Sequence, residues 1–321
     1  MTIRTRNNTT QEVAGFLRTL ERVAITTHVG ADGDAIGASA ALLRLMRSLG
    51  AAAIFCYAEE VPAYLRWLLP DEALRELPEG HDLLVVDTSR ADRAGVPVPK
   101  GGARLNLDHH EDNPLYAEYN LVNPQAAASA EIVADLYTEL GVPLDKEAAE
   151  ALYAGIRTDT GDFRFRNISP RAHELVAGFL RAGVVPAEVY ERINRRGSIE
   201  QLNIVGVSLA NARRYGEVLI SCVDNEDYAR TGTSELDSKE AIDQLRSVAG
   251  VDVVAHLREV PEGTKGSLRS ETVDVGKIAR LFGGGGHKLA AGYTRRSTRP
   301  HEAKEELLDV LASRMDLGGA R

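Results

Sequence analysis

Four short apolar runs, each followed by a stretch with helical spacing or a loop, most constrain what the first half of this chain can become. RVAITTH (22–28), AAIFCY and DLLVVDTS hold consecutive apolar residues rather than an apolar–polar alternation, and ARLNLDHH is read with them as a fourth strand. A strand with one wet face alternates, whereas one covered on both faces does not. Between the first two runs lies AIGASAALLRLMRSLG, with apolar residues at helical spacing and Gly50 suited to close the helix. Buried strands alternating with helices predict an α/β fold, a doubly wound parallel sheet covered on both faces. Three more helical patterns follow: SAEIVADLYTELG, KEAAEALYAGIRTDTG and SPRAHELVAGFLRAG. The last starts with Ser169 as N-cap and Pro170 at the first helical position, and Gly183 closes it.

Residues 186–214 read as helical and more polar, a connector. Beyond them EVLISCV, a helix near 238–248, VDVVAHLRE, KGSLRSE, a helix near 274–282, GGGGH and a final helix from about 300 predict a smaller mixed α/β domain. The expected division is therefore 1–185, 186–214 and 215–321, and 321 residues suit two domains.

Hydrophobic content of 44% and charged content of 26% allow each half a core of its own. The polar start MTIRTRNNTT and apolar runs broken by arginine predict neither a secretory leader nor a membrane span. Cys56 and Cys222 lie in apolar runs and read as buried, reduced thiols. Together these features point to the cytoplasm. Net charge is -9, without the broad basic surface that long nucleic acid, single-stranded or duplex, demands. An anionic substrate must then be held by local arginines or by bound cations.

Hard metal ligands gather at four places in the first half. His28 closes the first strand, with Asp32 and Asp34 in the loop behind it; Asp87 ends LLVVD; Asp108, His109 and His110 end the fourth strand; Asp159 ends a helix before a glycine. Taken singly, each has a plain structural reading: a strand-end aspartate is a cap, DGD is a turn, a lone histidine is a satisfied core residue. Taken jointly they predict a site, because ligands in open parallel sheets bind outside the carboxyl ends of the strands. Converging carboxylates repel one another and stay ionised only if cations neutralise them. Oxygen and imidazole donors without thiolate favour manganese or magnesium over structural zinc.

HVGADGDAIG, VVDTS, LDHH and GIRTDTGDF resemble, in order, the four motifs of the DHH-family phosphoesterases. GSLRS and VDVGKIARLFGGGGHKLAAG resemble the C-terminal DHH-associated domain. Length, plan and tail are most similar to the NrnA group, whose members degrade very short oligoribonucleotides and remove the 3′-phosphate from pAp. The resemblance implies two Mn2+ ions, with Mg2+ as the alternative. It places one ion on His28, Asp32 and Asp87 and the other on Asp34, Asp87, His109 and Asp159, so that Asp87 bridges. It turns His110 toward the substrate phosphate and sets Asp108 behind a ligand histidine. The family usually has proline before the first loop aspartate; Ala31 stands there, which implies a looser loop and weaker metal affinity.

The four glycines of GGGGH, alone, read as a flexible helix exit; beside His287 and Lys288 they allow backbone amides to approach an anion. The resemblance assigns the nucleotide end distant from the scissile phosphate to Arg269, Ser270, Gly285, Gly286 and His287, with Lys288 adding charge. Arg164 and Arg166 alternate with Phe163 and Phe165, as on a strand or extended loop, and Arg164 is a candidate phosphate contact. The implied reaction is metal-assisted hydrolysis of a phosphate ester, in a cleft between the domains of a monomer or homodimer. Cyclic-di-AMP or pApA phosphodiesterase activity remains open on the same site. A RecJ-like exonuclease is disfavoured by the negative charge, a family II inorganic pyrophosphatase by the glycine-rich tail, and a non-catalytic nucleotide sensor by the intact ligand set.

Overall fold

The computed structural model describes residues 6–194 and 197–313. The chain divides into two compact units, residues 1–196 and 197–321. The first begins with a helix that the polar start conceals, α1 (Thr10–Leu17), launched by a capping box in which Thr9 and Glu12 satisfy each other's backbone amides. Then come β1 (Arg22–Thr26), α2 (Gly33–Ser48), β2 (Ala52–Phe55), β3 (Asp82–Val86), β4 (Leu105–Asp108) and β5 (Tyr119–Val122). The helices α3 (Ser129–Leu140), α4 (Lys146–Asp159), α5 (Pro170–Arg181) and α6 (Pro186–Asn194) complete it.

The five strands are all parallel, in the order β2-β1-β3-β4-β5. The chain leaves β1 toward β2 and returns on the other side to β3, so the order reverses between β1 and β3. Loops leaving neighbouring strands on either side of such a reversal part and open a crevice. The strands form the parallel sheet expected from the apolar runs, with the α-helices packed on one face and loops carrying Val96, Ala103 and Ala117 on the other. Behind it α2 and α4 cross with almost no gap: a Cβ at Gly37 would stand 2.3 Å from the Ala151 carbonyl oxygen. That close approach brings the start of α2 and the end of α4 to the same edge.

The second unit holds α7 (Ile199–Ala210), β6 (Arg213–Tyr215), β7 (Val218–Val223), α8 (Asn225–Thr231), α9 (Ala241–Leu245), β8 (Val253–Val260) and β9 (Gly263–Ser270). It ends with α10 (Val275–Leu281), β10 (Gly285–Gly286), β11 (Ala290–Arg296) and α11 (Pro300–Ala312). Its sheet runs β10-β11-β9-β8-β7-β6, with only β7 and β8 parallel. The stretch read as a connector is shared out: Val189 and Ile193 of α6 enter the first core, and Ile204 of α7 packs on Val223 and Tyr228 of the second unit. Both cysteines are free thiols, Cys56 buried as expected but Cys222 only partly so. Among the described residues no helix is long and apolar enough to cross a membrane.

Candidate metal centre

β1, β3 and β4 end side by side and deliver their polar residues to one edge. His28 follows β1, and Asp32 caps α2 by accepting the amides of Asp34 and Ala35, both at 3.1 Å. Asp34, in the first turn of α2 at the helix dipole's positive end, is fully buried and accepts the amides of Ser129 at 2.6 Å and Ala130 at 2.9 Å. Asp87 leaves β3 in the left-handed region, φ 53°, a conformation that aspartate tolerates better than most residues. Strained backbone of this kind persists where the surroundings hold it. Here the Asp87 amide donates to Leu107 at 2.8 Å and the Ser129 hydroxyl donates to the Asp87 carboxylate at 2.9 Å.

The result is three overlapping donor groups: His28, Asp32 and Asp87; Asp87, His109 and His110; and Asp34, His109 and Asp159. Within each group the donor atoms lie within 4.8 Å of one another. The Nε2 of His28 stands 3.5 Å from Asp87 and that of His109 3.2 Å from Asp159. Both rings turn Nδ1 to a backbone carbonyl, His28 to Val29 at 3.0 Å and His109 to Ala126 at 3.4 Å, which leaves Nε2 for the cluster. His110 differs, since its Nδ1 is bonded to the buried Asp108 carboxylate at 2.7 Å. Asp108 also accepts from Asn113 and from the His109 amide. The ring that Asp108 orients is therefore that of His110, not of His109.

Charge explains the crowding. Burial opposes a charged imidazole at His28, yet the Asp87 and Asp32 carboxylates hold it protonated up to about 9. His109 reaches about 10, where Asp159, Asp34 and Asp87 outweigh burial. Burial also works against ionised Asp87, but His28, His109 and His110 keep it down at about 2. Burial, then Asp87 and Asp159, push Asp34 well above the carboxylate range. The same causes raise Asp32 to about 6, although 54% of its side chain faces solvent. Four carboxylates and two Nε2 atoms converging this tightly fit divalent cations, which neutralise them more strongly than protonated imidazoles do.

The tail residues are arranged less as expected. Arg269 lies on one face of β9, with its guanidinium partly buried and donating to the Leu268 carbonyl at 3.0 Å. Ser270, one residue on, points to the other face, where its hydroxyl donates to Asp252 at 2.8 Å. Strand alternation thus separates Ser270 from Arg269. Gly285 is open to solvent on its Cβ side. The amides of Gly283, Gly284 and His287 are already bonded to the carbonyls of Arg280, Ala279 and Ala290, so they do not form the anion cradle read from the sequence. Gly286 takes φ 131° to pair with Ala291, and Lys288 is exposed. Arg164 does not lie on a strand: a turn carries it, and its side chain donates to the Gly161 carbonyl and faces Asp162.

Residues 22–156 match the DHH family, N-terminal domain, and residues 216–316 match the DHHA1 domain. A bifunctional oligoribonuclease and PAP phosphatase NrnA of Thermus thermophilus is 35% identical over 96% of this chain and 94% of its own. The chain belongs to the DHH family. Its fold is shared with an exopolyphosphatase-related protein from Bacteroides fragilis, TM-score 0.85 at 22% identity, covering 95% of this chain and 96% of that one. RecJ in complex with Mn2+ from Thermus thermophilus superposes with TM-score 0.52 at 15% identity, over 98% of this chain and 55% of RecJ.

In this DHH protein the loop is braced at Ala31, the family's usual proline position. The Ala31 amide, which a proline lacks, donates to the Tyr57 hydroxyl at 2.9 Å. That hydroxyl donates to Glu59 at 3.0 Å, and Glu59 also accepts the Gly30 amide at 2.8 Å. Sequence reading missed this brace, and it missed Ser129. A serine ahead of an apolar helical run marks a helix start, and that signal was available for Ser129. Nothing local ties Tyr57, on the far side of β2, to residue 31.

Proposed function

We propose that the protein is a cytoplasmic, metal-dependent phosphoesterase that cleaves very short oligoribonucleotides to mononucleotides and dephosphorylates pAp to AMP. The observation that carries the chemistry is the sharing of Asp87 by two donor groups at one sheet edge. The substrate class is supported by likeness to the Thermus oligoribonuclease and PAP phosphatase along nearly the full length of both chains. We read 1–185 as the metal-holding part, 186–214 as the connector and 215–321 as the substrate-holding part.

His28, Asp32 and Asp87 would hold one Mn2+, and Asp34, Asp87, His109 and Asp159 the other, with Mg2+ as a substitute. When bound, such a pair activates water and offsets charge on both the attacking and leaving oxygens. Ser129 and Ala130 fix Asp87 and Asp34 from outside the donor set. His110, aligned by Asp108, presents Nε2 as a donor to the phosphate; burial disfavours its charged form but Asp108 raises its affinity for a proton. Arg269, His287 and Lys288, with the open side of Gly285 and the neighbouring Gly286, hold the far nucleotide.

A length series tests this reading. With manganese, catalytic efficiency falls from dinucleotides and pentanucleotides to an oligomer of roughly 24, with a log–log salt slope of about 1–2, because few phosphates are neutralised. Faster cleavage of the long strand with a steep slope overturns it. So does preference for cyclic di-AMP over pAp and dinucleotides.

A further inference from the structure

The second sheet is covered unevenly. One face carries α10 and α11 on Val218, Ile220, Leu257, Leu268 and Tyr293. On the other, helices cover β7 and β8 only, with Ile242 and Leu245 packed on Leu219 and Val254. Register carries this second face onward: Val254 pairs with Arg269, His256 with Ser267, and Arg258 with Lys265. Across β11 the same residues meet Ala290, Gly292 and Thr294, and Gly292 meets Gly285. The open half of the face is thus a floor of small residues with Arg269 at one end and Lys265 at the other. Four strand residues separate them by about 13 Å.

Behind the floor sits Arg258, 2% exposed. Its guanidinium donates to the Glu235 carbonyl at 2.9 Å and reaches the Ser267 hydroxyl at 3.5 Å, and its Nε has no partner. Among the described residues no carboxylate forms an ion pair with it; that of Glu235 acts only from a distance. Lys239, exposed on the segment between α8 and α9, adds a third cation; burial and then the charges of Arg258 and Lys265 push its ammonium down. A buried guanidinium held only by neutral oxygens is costly, and proteins ordinarily pair one. The opposite face shows the ordinary solution, where Arg295 is held by both carboxylate oxygens of Glu306, at 2.6 and 3.1 Å. In a chain of net charge -9, the charges of Arg258 and Lys265 both act on Lys239 here, against the carboxylate of Glu235.

We propose that the exposed Lys265 and Lys239, backed by the buried charge of Arg258, form a second phosphate subsite, which takes a backbone phosphate of an oligonucleotide beyond the nucleotide held at Arg269. The inference rests on the phosphoesterase reading above and adds how substrate length is sensed. Ser267, Gly292 and Gly285 leave the floor low enough for a sugar-phosphate backbone to lie along it. A span of about 13 Å is about four nucleotide steps at a stacked rise of ~3.4 Å, and fewer when the strand is stretched. An extended pentanucleotide therefore reaches the subsite and pAp does not.

The test uses the full-length, manganese-loaded protein carrying Lys265→Gln and Lys239→Gln, two exposed positions, and compares kcat/KM on pAp and on a pentanucleotide. The double variant lowers the pentanucleotide-to-pAp ratio by about fivefold, in the range of exposed ion pairs. It also flattens the pentanucleotide salt slope by about 0.7 for each phosphate that is no longer neutralised. Lys265→Arg, which keeps the charge, retains the wild-type ratio. An unchanged ratio in the double variant, or equal losses on both substrates, overturns the subsite. A wild-type protein inactive on both substrates overturns instead the activity on which it rests.

Discussion

At the sheet edge of the first unit, Asp87 sits among three imidazoles, and Asp34 is closed in by two backbone amides and by His109. On the open face of the second unit, Arg258 bonds only neutral oxygens among the described residues, and Lys239 feels the repulsion of Arg258 and Lys265. Both places concentrate charge of one kind. The first does so with acids packed so tightly that protons or cations must share the space. The second spreads its cations over a low floor without pairing them to carboxylates. Dense convergence of carboxylates suits small, hard cations at fixed points; separated cations on a flat surface suit a polyanion.

The sharpest way to break the first half of this comparison is Asp87→Ala. We expect hydrolysis to be abolished and manganese stoichiometry to drop from about two toward zero, with Asp87→Asn controlling for loss of side-chain packing. Two tightly bound ions in either variant, by metal analysis, would remove Asp87 from the bridging position. His110→Ala separates ligand from donor: bound manganese is retained while turnover falls by about two orders of magnitude. Loss of one ion in that variant would place His110 with Asp87 and His109 as a ligand.

The second half is sharpened by Arg269→Ala and His287→Ala. Each should lower kcat/KM on pAp and dinucleotides by about tenfold, as expected for a charge-assisted contact, and change bis-p-nitrophenyl phosphate much less. Equal losses on both substrates would make these residues structural. Protonation offers another handle. In the ion-free protein His28 and His109 hold protons up to about 9 and about 10. Ions must displace those protons at neutral pH, so manganese affinity rises with pH between about 6 and about 8, by up to about tenfold per unit for each proton released. Calorimetry in two buffers of different ionisation heat counts the protons, and a count of zero contradicts the assignment. The smallest effect expected is at the loop brace. Tyr57→Phe should weaken manganese binding by about threefold through loss of one hydrogen bond, and should have almost no effect in an Ala31→Pro background, where the amide donor is gone. Additive effects would mean that Tyr57 acts elsewhere.

Local sequence determined a large part of this protein. Runs without alternation specified buried parallel strands, and polar residues at their ends had to meet at one edge, because a parallel sheet points all its strand ends the same way. His28, Asp32, Asp34, Asp87, His109 and Asp159 were legible for that reason. Alternation along a single strand would also have told Ser270 from Arg269, since neighbours on a strand face opposite ways. What only the tertiary structure decided are contacts between segments far apart in the chain. Ser129 reaches Asp87 across 42 positions, and Tyr57 meets Ala31 across 26. The pairing of Asp108 with His110, two residues on, depends on a ring rotation that spacing does not fix. That Arg258 finds no ion-pair partner among the described residues was invisible for a different reason. Whether a buried arginine finds a carboxylate depends on which side chains the neighbouring strands and helices bring to it, and that is set by register and packing rather than by any pattern along the chain.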